Sequence, residues 1–196
     1  FESSNNVIYL GAAPNQHVLP MLAWLLREHP GDIYHVGSNY VWSWEIDRIT
    51  GEALAATGHR LTASRLVNLG DTAVEGIIRD IAERRPKVVL VTLVGQSAYR
   101  FYHAWREAAE DDPHLASDTA IKLSLTLCEA EVSLVGKAEL EGYLVSSAWF
   151  QTVHNDANQR FLEQYRTRFG DGGSPSVDSV AAWTAGQFLA RAVQRC

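Results

Sequence analysis

Two cysteines, Cys128 and Cys196, are too few in 196 residues for a disulfide framework, and they say little about redox compartment. No run of about 18 apolar residues occurs, so no transmembrane helix and no direct membrane insertion are expected. No basic-then-apolar leader opens the chain either. Residues 1–6 are a polar approach without a start Met, and the chain reads as a piece of a longer protein. Positive charge is also in short supply. The 17 Lys and Arg face 23 Asp and Glu, the net charge is −6, and the basic residues are scattered. Phosphate backbones need clustered cations, so nucleic acid is an unsuitable partner. The densest basic group, Arg84, Arg85 and Lys87, fits the C-terminal end of a helix, where cations oppose the dipole.

Catalytic and cofactor signatures are missing as well. There is no Gly-x-Ser-x-Gly elbow, no P-loop, no His-Glu-x-x-His and no dinucleotide fingerprint. The seven histidines are dispersed, and a single Met makes a soft-metal site unsuitable. No cofactor is expected, and the chain does not read as an enzyme. Cys128 beside Glu129 invites a nucleophile reading, but no activating His is placed by the sequence. A buried free thiol is the expected state.

What the chain does carry is an alternation of strand and helix patterns. The apolar share of 46% and charged share of 20% suit an ordinary folded domain. Strands are predicted over 7–10, 33–36, 60–69, 87–94, 121–127 and 142–150. The run 87–94 is continuously apolar rather than alternating, as in a central parallel strand covered on both faces. Gly11 to Gln16 reads as a turn, and Val18, Leu22, Leu25 and Leu26 mark a helix ended by Pro30-Gly31. Further helices are predicted over about 44–57, through Val74, Ile77, Ile78 and Ile81, and, after Gly95-Gln96-Ser97, to about Ala109. Three more span 130–136, 158–169 and 178–195, while Glu110 to His114 reads as a surface loop. Gly58 suits a helix C-terminus, and Gly70-Asp71-Thr72 a turn with an N-cap candidate. Such alternation demands a parallel sheet with right-handed crossovers, an α/β, Rossmann-like three-layer architecture.

In open α/β sheets, ligands bind beyond the carboxyl ends of the strands. Three strand ends, at Gly37, Gly95 and Cys128, are expected on one edge, forming half of a binding cleft. After the first come Ser38, Tyr40 and Trp42, read as a polar and aromatic loop whose rings could stack on and hydrogen-bond a small polar solute. Their competing role is core or hinge packing, which is the preferred role for Trp44. Thr92, Gly95 and Gln96 end the central strand. Glycine permits close backbone approach, and the Gln96 amide offers both donor and acceptor. Thr126 ends the next strand, Glu129 suits the start of the following helix, and Trp149 stands at a second crossing, lining the cleft or packing a hinge. The expected ligand-binding set is therefore Ser38, Tyr40, Trp42, Thr92, Gly95, Gln96, Thr126 and Trp149.

Four segments in order add a resemblance: Val7-Ile-Tyr-Leu-Gly-Ala-Ala-Pro-Asn-Gln16, Val36-Gly-Ser-Asn-Tyr-Val-Trp42, Val91-Thr-Leu-Val-Gly95 and Ser124-Leu-Thr-Leu-Cys-Glu-Ala-Glu-Val132. Together they resemble the amide- and urea-binding branch of the type I periplasmic binding proteins. The resemblance implies two α/β lobes hinged by crossing strands. Residues 1–14 would be a hinge strand from the first lobe, 15–150 a complete ligand-binding lobe, and 151–196 helices returning to an incomplete first lobe. It implies an extracytoplasmic solute receptor that serves an ABC transporter permease and closes on a short-chain amide, urea or amino-acid-like ligand; a homo-oligomer is compatible with it. The alternative it implies is a cytoplasmic amide sensor acting on an antitermination regulator. The sequence departs from the family pattern at Asn39, where an acid is usual, at Ser43-Trp44, where Pro-Arg is usual, and at Leu127-Cys128, where small hydroxyl residues are frequent. These departures admit a larger or more apolar solute than urea or acetamide.

Overall fold

A computed structural model describes residues 4–116 and 120–195; Cys196 and the start of the polar approach at residues 1–3 lie outside the described residues. Five strands form one wholly parallel sheet in the order β2-β1-β3-β4-β5. They are β1 (Ile33–Ser38), β2 (Leu61–Val67), β3 (Val88–Thr92), β4 (Ile121–Ser124) and β5 (Tyr143–Val145). Between and around them run α1 (Pro14–Glu28), α2 (Val41–Ala55), α3 (Glu75–Arg84), α4 (Gly95–Ala109), α5 (Pro113–Ala116), α6 (Glu129–Val135) and α7 (Lys137–Leu140). The last two helices are α8 (Asp156–Phe169) and α9 (Val177–Arg195).

Every residue of β1 and β3 is buried, because alternate side chains enter two different cores. Ile33, Val88 and Leu90 point to α1 and α2, joining Val18, Leu22, Leu25, Ile46 and Leu54. Tyr34, Val36, Val89 and Val91 point the other way, to Val74, Ile78 and Ile81 near and on α3 and to Phe101 and Trp105 on α4. The result is the three-layer α/β arrangement the alternation demanded. At about 25 cal/mol per Å² of apolar area, these two cores supply the main favourable term in folding.

Several boundaries move, for identifiable reasons. Residues 7–10 form no strand: Val7, Ile8 and Tyr9 are exposed and pair with no other strand, and a strand needs a partner for its backbone groups. Pro14, read as part of a turn, is the first residue of α1, where its missing N–H costs nothing and its φ suits a helix. β4 stops at Ser124 rather than 127, because the Ser124 hydroxyl accepts from the N–H groups of Thr126 and Leu127 and turns the chain. β5 pairs with β4 over Lys122, Leu123 and Ser124 and no further, so the predicted strand 142–150 shrinks to three residues. Tyr40 takes the extended N-cap position and α2 starts at Val41, so Trp42 lies in a helix and not in a loop. Trp44 does not pack into its lobe. It is 54% exposed, and its indole N–H donates to Asn39 Oδ1. The N-cap of α3 is Val74, not a residue of the 70–72 turn. Glu110 to His114 is not all loop: α5 begins within it, held by buried Leu115, whose carbonyl accepts from the Trp105 indole.

Candidate functional site

Parallel pairing brings the strand ends level. Gly37 sits opposite Thr92, and Val91 opposite Ser124, so β1, β3 and β4 finish along one edge. Their tips are tied to each other by side chains. Ser38 Oγ accepts from Val94 N–H at 3.1 Å, and Thr126 Oγ1 donates to Leu93 O at 2.6 Å.

Beneath this edge runs a buried relay. His35 faces Asp47 Oδ1 through Nδ1 and Thr92 Oγ1 through Nε2, both at 2.7 Å. Thr92 Oγ1 in turn lies 2.9 Å from Ser43 Oγ. A carboxylate only accepts, so Nδ1 carries a proton toward Asp47, and the Thr92 hydroxyl bridges Nε2 and the Ser43 hydroxyl. Burial raises the Asp47 carboxyl, but the hydrogen bonds from His35 and Ser64 outweigh it and leave the group below its ordinary value. Gly37 is what lets this relay close. A Cβ there would run into Thr92 Oγ1 and would come within 2.7 Å of Ser43 Oγ.

At the edge itself lies a cavity of about 380 Å³. Tyr40, Trp42, Val94 and Thr126 form its floor and one side, from the tips of β1, β3 and β4. Ala12 just before α1 and His17 on its first turn, Ser146 and Ser147 after β5, and Asp178 and Ala181 from α9 also line it. His17 stacks on Trp42 with ring centres 5.5 Å apart and planes 8° from parallel. Burial pushes the His17 ring below its ordinary value and outweighs its hydrogen bond to Ala13 O, so it favours the neutral form. Burial pushes the Tyr40 phenol up, which keeps it protonated. Hollows of about 420 and 530 Å³ also exist, but they lie on helix faces between α8 and α9 and between α1 and α2, away from the strand tips.

Of the eight residues expected in the site, Tyr40, Trp42 and Thr126 line this cavity. Ser38 and Thr92 are fully buried beneath it, with their hydroxyls engaged as described. Gly95 opens α4 at φ 58°, with open space around it, and Gln96 is exposed on the first turn of that helix; neither borders the cavity. Trp149 borders a smaller adjoining hollow of about 170 Å³ with Cys128 and Glu129. Its indole donates to Asn158 Oδ1, and its ring meets Phe161 edge-on. Four polar residues of the cavity lining were not singled out by sequence. His17, Ser146, Ser147 and Asp178 come from segments that are remote in the chain, and only the folded topology joins them. The Cys128 thiol is pushed up by burial and by the Glu131 carboxylate, the opposite of what a thiolate nucleophile needs. Among the described residues no cluster of His, Cys, Asp and Glu could hold a metal ion, and no helix is long and apolar enough to cross a membrane.

Comparison with solved structures bears on the fold. The chain is similar to a solute-binding protein of an ABC transporter from R. palustris in complex with benzoate, at 18% identity and a TM-score of 0.78, covering 94% of this chain and 48% of that one. It is similar to a second R. palustris solute-binding protein, in complex with 4-hydroxybenzoate, at 15% identity and a TM-score of 0.81, covering 95% and 50%. It is also similar to the closed conformation of the leucine-, isoleucine-, valine-, threonine- and alanine-binding protein of Brucella ovis, at 15% identity and a TM-score of 0.72, covering 91% and 44%. The chain thus spans about half the length of the structures it matches. Its parallel sheet and flanking helices are those of a type I periplasmic binding protein lobe. A family model described as a periplasmic binding protein domain matches residues 1–196 in full, and the chain belongs to that family.

Proposed function

We propose that this chain is one wall of the ligand cleft of an extracytoplasmic solute-binding protein that delivers a small polar compound, a short-chain amide, urea or amino-acid-like solute, to an ABC transporter permease. The observation that carries the reading is the cavity at the joint tips of β1, β3 and β4, where Tyr40, Trp42 and Thr126 meet. That is where an open α/β sheet offers a crevice to ligands. The role is binding without chemistry: contacts made only in a closed state would shift a hinged protein towards closure. The second wall belongs to a further lobe, in keeping with the half-length match to the solved solute-binding proteins.

In this reading Tyr40 and Trp42 touch the solute, the ring faces stacking on it and the phenol hydrogen-bonding it. Thr126 contributes a hydroxyl oxygen. Ser38 and Thr92 act from below by fixing the turn that carries Tyr40. Gly95 and Gln96 stand outside the cavity, at the start of α4, and Trp149 braces the segment after β5.

Calorimetry or thermal shift with a panel of amides, urea, branched amino acids and aromatic acids tests this. At least one compound is expected to raise the melting temperature by mass action on the native state. Tyr40→Ala or Trp42→Ala is then expected to weaken its binding about tenfold or more. A panel without a single stabilising compound, or unchanged affinity in both variants, would remove the cavity from consideration.

A further inference from the structure

The polar groups around the cavity are unequally matched, and this selects the solute. Thr126 Oγ1 already donates to Leu93 O, and Ser146 Oγ donates to His17 O at 3.0 Å. His17 Nδ1 lies 3.2 Å from Ala13 O, an acceptor, so that nitrogen carries the ring proton and Nε2 keeps a lone pair. Asp178 adds a carboxylate that accepts only, with no bonding partner among the described residues. All four of these side chains line the cavity. Each has its donor spent elsewhere or never had one, so what they can offer a solute is acceptors. The donors left on the lining side chains are the Tyr40 and Ser147 hydroxyls and the Trp42 indole N–H. No Lys or Arg lines the cavity. The stacked pair Trp42 and His17 meanwhile supplies a flat apolar surface.

We propose that this wall of the cleft takes the N–H-bearing end of a flat, ring-sized solute, an amine, amidine or primary amide, and disfavours a carboxylate there. This inference rests on the binding role proposed above. A carboxylate entering here would find three neutral donors but would also face the Asp178 carboxylate, with no cation to offset its lost hydration. An amidinium or amide would meet the Asp178 carboxylate and His17 Nε2, which have no hydrogen-bond partner among the described residues, and unpaired acceptors discriminate strongly against a ligand that cannot donate.

Three probes of one shape separate the possibilities: benzamidine, benzamide and benzoate, titrated calorimetrically into the protein and into Asp178→Asn. Benzamidine and benzamide are expected to bind about tenfold or more tightly than benzoate. Asp178→Asn is expected to weaken benzamidine selectively and to narrow its lead over benzoate, with far-UV circular dichroism unchanged because Asp178 is exposed at the start of α9. Benzoate binding as tightly as benzamide, or a ratio that Asp178→Asn leaves untouched, would overturn this inference while leaving the binding role standing. Failure of all three probes, together with the wider solute panel, would remove the binding role and the inference with it.

Discussion

At the scale of single residues, the edge of the sheet is organised by a histidine that no solute reaches. His35 is fully buried and spends both ring nitrogens, one on Asp47 and one on Thr92. Through Thr92 it fixes Ser43, and so the helix start that carries Trp42. Sequence could place His35 in a buried strand, but its partners are 12 and 57 residues away and no local pattern pairs them. Tyr40, Trp42 and Thr126 were legible because each stands just past a strand end. Asp178 and His17 were not, because each sits at a helix start with no motif around it. The Asp47 carboxyl is held below its ordinary value of 3.8, so its hydrogen bonds stabilise the fold above that pH and are lost as pH falls below 3.8 towards the folded value. Asp47→Asn is therefore expected to be less stable than the native chain at pH 6, with the gap narrowing below pH 3.8. Urea denaturation at both pH values checks this, and a constant gap would assign the stabilisation elsewhere.

At the scale of elements, what the sequence disclosed depended on whether local pattern or tertiary pairing set the boundary. β3 was read correctly from its unbroken apolar run, since burial on both faces removes the alternation. The end of α4 was read to the residue from the acidic stretch after Ala109, while its start came out late, because Gly95-Gln96-Ser97 reads as a turn and the structure makes it the first turn of the helix. Residues 7–10 have strand composition but no neighbour, and composition cannot supply one. β4 and β5 were read as too long because a single residue, Ser124, ends both. Ser124 caps two N–H groups of the turn, and its carbonyl takes the last ladder bond from Ser146. Ser124→Ala would leave those donors without that acceptor, at a cost of about 1–3 kcal/mol. Denaturant titration of the variant is expected to show a lowered midpoint with the slope unchanged. Stability equal to the native chain would mean that the turn holds without its serine.

At the scale of the whole molecule, one sheet edge carries three tied strand tips, a stacked ring pair and a cavity rich in acceptors. α9 lies apart in character: it buries none of its side chains, and Phe188, Leu189 and Val193 are exposed along it. Fold class was legible because alternating strand and helix patterns admit few topologies. The family was legible from four ordered motifs, and the family match extends over the full chain. The solute was not, because half of what defines it is the hydrogen-bond balance of side chains that converge only after folding. The direct measurement is a two-dimensional amide NMR titration with whichever panel solute stabilises the protein most. Shift changes are expected to concentrate at residues 38–42, 93–94 and 125–127, the three tips together, with the Trp42 indole signal among them. Changes gathered instead on α8 and α9, or between α1 and α2, with the strand tips silent, would contradict the assignment of this edge as the binding wall.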